Sequence, residues 1–259
     1  MTSAGASRDA GRRTYAASHV GLVRERNEDS CAVFGADERL TNWRGSLSSQ
    51  NGWALIADGV GGHVAGETAS ALAIEILRPM MSAIRTEHEI HQAVNVADTA
   101  LFLAMDMQPE LRGMGTTIAG VLLRPGEVIA FNAGDSRIYS FVDGKLRQLS
   151  IDDATKGGAL LQCLGGFQEP IPIFVHTRRV DPDAVLVICS DGLTNLLNVS
   201  AIERILKQHP ADPAAVLVNV ALEAGGLDNV TVVVIDNANP KPKLPSFGTG
   251  SADSGFKSR

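Results

Sequence analysis

The chain has 259 residues, 44 % hydrophobic and 20 % charged, enough apolar material for a sizeable core in one large domain or two small ones. Its formal net charge of −6 argues against nucleic acid or an anionic membrane surface as the main partner, and no apolar stretch approaches the roughly 20 residues of a membrane span. The cysteines, Cys31, Cys163 and Cys189, are odd in number and widely spaced, so they form neither a disulfide framework nor a zinc pattern, and a cytoplasmic setting is expected.

Residues 1–12 are small and polar, which predicts a disordered N-terminus without a secretory signal. The first strong strand signal is "WALIA". From Gly66 to Arg85 an apolar stripe at Ala69, Leu72, Ala73, Ile76, Leu77, Met80 and Ile84 predicts a helix, and residues 87–108 predict a second through Ile90, Val94, Ala97, Leu101 and Met105. Strand signals follow in "TTIAGVLL", "VIAFNA", "RIYSFV", "IPIFVHT" and "AVLVICS". Shorter helices are expected at 199–208 and at 212–224, the latter behind "ADP" as cap and first-turn proline. "NVTVVVI" is the last strand, and residues 238–259, rich in Pro, Gly, Ser and Lys, read as a flexible tail. Residues 13–237 are therefore taken as one domain. Strands joined by hairpins and helices in pairs give an α+β layered architecture with largely antiparallel sheets.

Two Asp-Gly pairs behave differently. Asp143-Gly144 lies between two alternating runs and predicts a two-residue hairpin. Asp58-Gly59 follows an apolar run, but the chain continues through Val60-Gly61-Gly62-His63 into a helix, so Asp58 ends a strand without turning back. Other acids mark similar places. Asp29 precedes "SCAVF", Asp191 follows "AVLVICS", Asp228 precedes "NVTVVVI", and Asp135 interrupts "VIAFNAGDSRIYSF". In an antiparallel sheet the start of one strand adjoins the end of its neighbour, so Asp29 and Asp228 can gather with Asp58 and Asp191 at one edge. Asp236 cannot join them, because the length of its strand puts it about 26 Å away. Several carboxylates at one edge repel each other unless cations intervene, and oxygen ligation without paired His or Cys points to Mg²⁺ or Mn²⁺. Glu28 and Asp29 should point to opposite faces of a strand, with Asp29 the favoured ligand. Loop or turn aspartates without metal are the alternative.

The segments "GLVRERNEDS", "ALIADGVGGHVAGETAS", "GMGTTIAGVLL", "FNAGDSRIYSF", "CSDGLTN" and "DNVTVVVI" resemble, in order, the motifs of the type 2C metal-dependent protein phosphatases in their bacterial form. The resemblance covers residues 14–236. It implies a four-layer αββα sandwich of two antiparallel sheets flanked by helices, and hydrolysis of phosphoserine and phosphothreonine by a metal-bound hydroxide at two Mn²⁺ or Mg²⁺ ions. Matched by motif, Asp58 bridges both metals, the Gly59 carbonyl binds one, and Asp191 and Asp228 ligate the other. Asp29 orders metal-bound water with Glu28 nearby, Asp135 helps hold a weaker third metal, and Arg24 binds phosphate. The implied partners are phosphorylated proteins and a bacterial Ser/Thr kinase; a monomer is expected. A catalytically silent phosphatase-like binding module, and a phosphatase of a partner-switching regulator, are the alternatives.

The chain departs from the family in three places. Val60 stands where some members place a histidine directly after "DG", and His63, four residues after Gly59, is either an acid for the leaving group or a stabiliser of the turn. Asn195 stands where many members have another aspartate, which bears on the third metal. Between Leu149 and Pro170 a short glycine-rich segment replaces a longer flap, so a more open site is expected, with Asp152 and Asp153 as loop acids and Arg137 as a structural partner.

Overall fold

A computed structural model describes residues 11–36, 40–60, 64–166, 173–181, 183–208 and 211–236. The strands β1 (Arg12–His19), β2 (Asp29–Val33), β3 (Asn42–Leu47) and β4 (Trp53–Val60) precede the helices α1 (Val64–Met81) and α2 (Glu87–Met107). A 3₁₀ turn at Pro109–Leu111 leads to β5 (Gly115–Thr116), β6 (Ile118–Arg124), β7 (Glu127–Ala133), β8 (Arg137–Val142) and β9 (Lys145–Gln148). Then come β10 (Leu164–Gly165), β11 (His176–Val180), β12 (Val185–Cys189), α3 (Asp191–Thr194), α4 (Val199–Gln208), α5 (Pro213–Glu223) and β13 (Val230–Ile235).

One sheet runs β3-β1-β13-β12-β8-β9; the other runs β10-β5-β4-β6-β7-β11, with β2 also paired to β4. Every pairing is antiparallel. Alternation along the strands fixes the stacking. In β4, Ala54 and Ile56 face the core between the sheets, while Trp53, Leu55 and Ala57 face α1 and α2. In β13, Val233 and Ile235 face inward, while Val230, Val232 and Val234 pack under α4 and α5. The result is the expected four-layer αββα sandwich.

The helices start where local chemistry supplies caps. Thr86 and Glu89 form a capping box on α2, and Asp212 accepts from the Ala215 amide ahead of Pro213 in α5. The helix expected over 66–85 runs from Val64 to Met81, with Pro79, which removes one rung of the hydrogen-bond ladder, inside its last turn. The Asp143-Gly144 hairpin forms as expected, with φ of 50° and 74° and Val142 opposite Lys145.

Other expectations are corrected. The strand expected in "IPIFVHT" starts late: residues 173–175 are irregular, and β11 takes in only the final His176 and Thr177 before running on to Val180. It is an edge strand whose signal is masked by charge. The strands β1 and β3 carry little β-branched material and were not anticipated. Arg12, placed with the N-terminal segment on composition, opens β1 and is buried. The remaining N-terminal expectation (1–10), the tail (238–259) and His63 lie outside the described residues.

Candidate metal centre

The antiparallel register brings the acids together. Asp29, first in β2, stands opposite Asp58 near the end of β4. Asp191 opens α3 directly after β12, and Asp228 precedes β13, the neighbour of β12 in the other sheet. Asp58, Asp135, Asp191 and Asp228 line one cleft of about 250 Å³ with Arg24, Glu28, Gly59 and Asn229. Asp29 lies beneath them, buried. Asp236 is at the other end of β13, paired with Arg13.

Backbone bonds hold Asp58 rigid. Its amide donates to Thr117 Oγ1 at 3.0 Å, and its carbonyl accepts from the Thr117 amide and Thr116 Oγ1, each at 2.9 Å. Thr117 also meets the Ser136 hydroxyl at 2.7 Å, next to Asp135. Ser190 Oγ donates to Asp29 Oδ2 at 2.8 Å, while Asp29 Oδ1 is buried without a hydrogen-bond partner among the described residues. Arg24 reaches Asp228 at 2.6 Å, and Asn195 donates to Asp191 at 3.0 Å.

The electrostatics show what the arrangement lacks. Burial, with the charges of Asp29, Asp191, Asp135 and Asp228, raises Asp58 well above the usual carboxylate range. Burial, only partly opposed by hydroxyls of Thr231 and Ser190, brings Asp29 to about 7, and burial with the charge of Asp191 brings Asp135 to about 6. Asp191 is raised by burial and by Asp228, against hydrogen bonds from Asn195 and Asp58. Such a cluster is stable only when protonated or when cations intervene. Its donors are all oxygen, it contains an orphaned buried Asp29 oxygen, and it opens to a cleft, so hard divalent ions fit. With Asp228 turned to Arg24 and Asp191 to Asn195, no three acidic or imidazole groups among the described residues already form a cage. Binding a cation requires these side chains to rotate.

A pH effect follows in chelator-treated protein. Asp29 and Asp135 titrate at about 7 and about 6 when folded, against about 4 when unfolded. The folded state therefore binds more protons over that range. The stability this contributes is present below the unfolded value and is lost as pH rises through 6 and 7. In EDTA, Asp29→Asn should flatten the decline of unfolding free energy by up to about one proton, or about 1.4 kcal/mol per pH unit. Denaturant melts between these pH values check this; equal slopes for variant and wild type would contradict it.

Several supporting residues were not foreseen. Asn229 Oδ1 accepts from the Glu28 amide at 2.8 Å, and its Nδ2 donates to the Val20 and Arg26 carbonyls, so it fixes the loop that carries Arg24. Its position in "DN" was the one available sign. Asp152 and Asp153 are loop acids, as expected, with a definite task. Asp152 accepts twice from Arg137, at 2.9 and 2.7 Å. Asp153 brackets Gly134, accepting from its amide at 3.0 Å and donating its own amide to the Gly134 carbonyl at 3.0 Å. Together they clamp the turn holding Asp135. The short loop also turns back through an Ala154–Leu160 bridge, and Gly158 and Leu160 line the cleft, so its shortness does not remove it from the site.

The profile of the family described as Protein phosphatase 2C matches residues 41–212. The chain is 26 % identical to "Serine/threonine phosphatase stp" of Listeria innocua over 83 % of this chain and 92 % of that protein. It is 32 % identical to "Serine/threonine protein phosphatase PstP" of Mycobacterium tuberculosis over 86 % of this chain, and spans 45 % of that protein's length. The crystal structure of a PstP catalytic domain in complex with two manganese ions superposes with a TM-score of 0.72 at 31 % identity, covering 88 % of this chain and 99 % of that one.

Proposed function

Because the chain belongs to the protein phosphatase 2C family and is a metal-dependent serine/threonine phosphatase, we propose that Asp58, Asp191 and Asp228, with the Gly59 carbonyl, hold two Mn²⁺ or Mg²⁺ ions in this cleft. The observation that carries the assignment is the convergence of these like-charged, partly desolvated carboxylates on one open cleft beside a single arginine. Ions bound there would supply a lowered water pKa and positive charge for phosphate oxygens.

The chain's own groups do the rest. Asp58, whose backbone is fixed by Thr116 and Thr117 and which lines the cleft with Asp191, would be placed to hold both ions. Asp29, tethered by Ser190 and opposite Asp58, stands buried under the cleft with Oδ1 unpartnered among the described residues, and would order a metal-bound water only once the site opens to it; Glu28 lines the cleft itself as an accessory acid. Asp135, clamped through its loop, would hold a weaker third ion, to which Asn195 would add no charge. Arg24 offers a planar fork to two phosphate oxygens. Asp228 accepts from Arg24 at 2.6 Å and so places the guanidinium at the cleft; that contact would give way when Asp228 turns to hold a cation, leaving the fork for phosphate. The substrates in this reading are Ser/Thr-phosphorylated proteins, a cognate Ser/Thr kinase is the opposing enzyme, and the chain acts as a cytoplasmic monomer. A net charge of −6 favours separate copies of the chain; no described helix is long and apolar enough to cross a membrane.

Arg24→Ala should lower kcat/KM for a phosphothreonine peptide in Mn²⁺ by about 10²-fold, near 2.7 kcal/mol. Arg24→Lys should recover only part, because an ammonium cannot match the fork. Steady-state kinetics check this, and an alanine variant with undiminished kcat/KM would remove Arg24 from phosphate binding.

A further inference from the structure

The loops that bring Arg24 and Asp228 to the cleft also carry an apolar rim. Leu22, Val23 and Leu227 are 65 %, 63 % and 60 % exposed. Isolated exposed aliphatic residues are ordinary on a protein surface. These three lie on two segments fastened to each other. The Leu22 amide donates to the Gly226 carbonyl at 2.7 Å, and Leu22 Cγ lies 2.9 Å from where a Cβ on Gly226 would stand. Gly21, at φ +86°, packs so closely that a Cβ there would stand 2.4 Å from the Asp228 carbonyl. Asn229 fastens the same loop through Val20 and Arg26. The backbone beneath these three residues is therefore held in place beside the cleft. Leu22 and Val23 directly precede Arg24, and Leu227 directly precedes Asp228, both of which line the cleft.

A phosphoprotein entering this cleft must cross its edge. Residues of an extended chain are about 3.3 Å apart, so with the phosphate at Arg24 the next one or two residues lie within about 7 Å of the phosphorylated position. That distance is also one to two residues along the loops from Arg24 and Asp228 to the rim. Resting on the phosphatase reading, we infer that Leu22, Val23 and Leu227 form a docking surface for an apolar side chain one or two positions from the phosphoserine or phosphothreonine, and so set a preference for apolar-flanked phosphosites. Contact is made outside the reacting centre, so these are specificity residues and not catalytic ones.

The test uses two phosphothreonine peptides, identical except for Leu or Ser at the flanking positions, assayed with the full chain in Mn²⁺. Wild-type enzyme should favour the Leu-flanked peptide by about tenfold in kcat/KM, within the range for an apolar contact worth a methylene or more. In Leu22→Ser/Leu227→Ser the ratio should fall to within about twofold of one. Turnover of the Ser-flanked peptide reports that the variant is folded. A ratio near one in wild type, or an unchanged ratio in the variant, would overturn the docking surface alone. No turnover of either peptide by wild type would overturn the phosphatase reading and the rim with it. A wild-type dimer that dissociates in the double variant would assign the rim to a second copy instead.

Discussion

Asp58→Asn is expected to lower kcat by about 10³-fold or more, at least 4 kcal/mol of transition-state stabilisation. The same change should stabilise the protein in EDTA. Asp58 is buried among Asp29, Asp191, Asp135 and Asp228, and both burial and those charges oppose its ionisation. A neutral amide keeps the shape and removes the repulsion. Added Mn²⁺ should then raise the melting temperature of wild type and leave the variant almost unmoved, because ligand that binds only the folded state stabilises by mass action. Thermal melts with and without Mn²⁺, beside turnover, separate this from general damage. An Asp58→Asn protein less stable than wild type in EDTA would mean that the carboxylate supports the fold directly, against this account.

Gly59→Ala is expected to be among the most damaging single-methyl changes in the site. Gly59 continues β4, and its backbone does not adopt positive φ. It is glycine for want of space: a Cβ would stand 2.1 Å from the Gly66 carbonyl oxygen and 2.7 Å from that of Glu28. Both obstacles are backbone, so relief requires parting β4 from α1 and from the loop before β2. A loss of about 3 kcal/mol or more, with weakened Mn²⁺ binding, is expected. Gly144→Ala is the control. Gly144 needs its φ of +74°, and the atom a Cβ would meet is the flexible end of Lys207. That change should cost about 1–2 kcal/mol and spare the metal site. Denaturant midpoints and Mn²⁺ titrations of both variants check this, and equal losses would contradict it.

The comparison of these two glycines shows what was readable in advance. Asp58-Gly59 and Asp143-Gly144 are the same dipeptide, yet the flanking pattern alone separated a hairpin from a strand end. The acids at strand ends, the helix behind Asp212 and a layered α+β arrangement of antiparallel sheets were legible because periodicity and cap chemistry are local, whereas the four-layer sandwich came from the family resemblance and the Thr86 cap was not read. The supporting bonds were not legible either. Ser190 reaches Asp29 across 161 residues of sequence, and Asn229 reaches Glu28 across 201. Nothing in a hydroxyl or amide side chain announces a partner that only folding brings near. Edge strands were missed for a related reason, since β3 and β11 bury little and so carry little apolar pattern. The end of α1 was misplaced by following apolar spacing past Pro79.

The most direct test of the metal centre is phosphate release from a phosphothreonine peptide as a function of Mn²⁺ concentration, in wild type and in Asp191→Ala. Turnover that is absent in EDTA, rises with Mn²⁺ and collapses in the variant is the predicted result. Turnover that persists in EDTA, or survives the loss of Asp191, would contradict the assignment of these carboxylates.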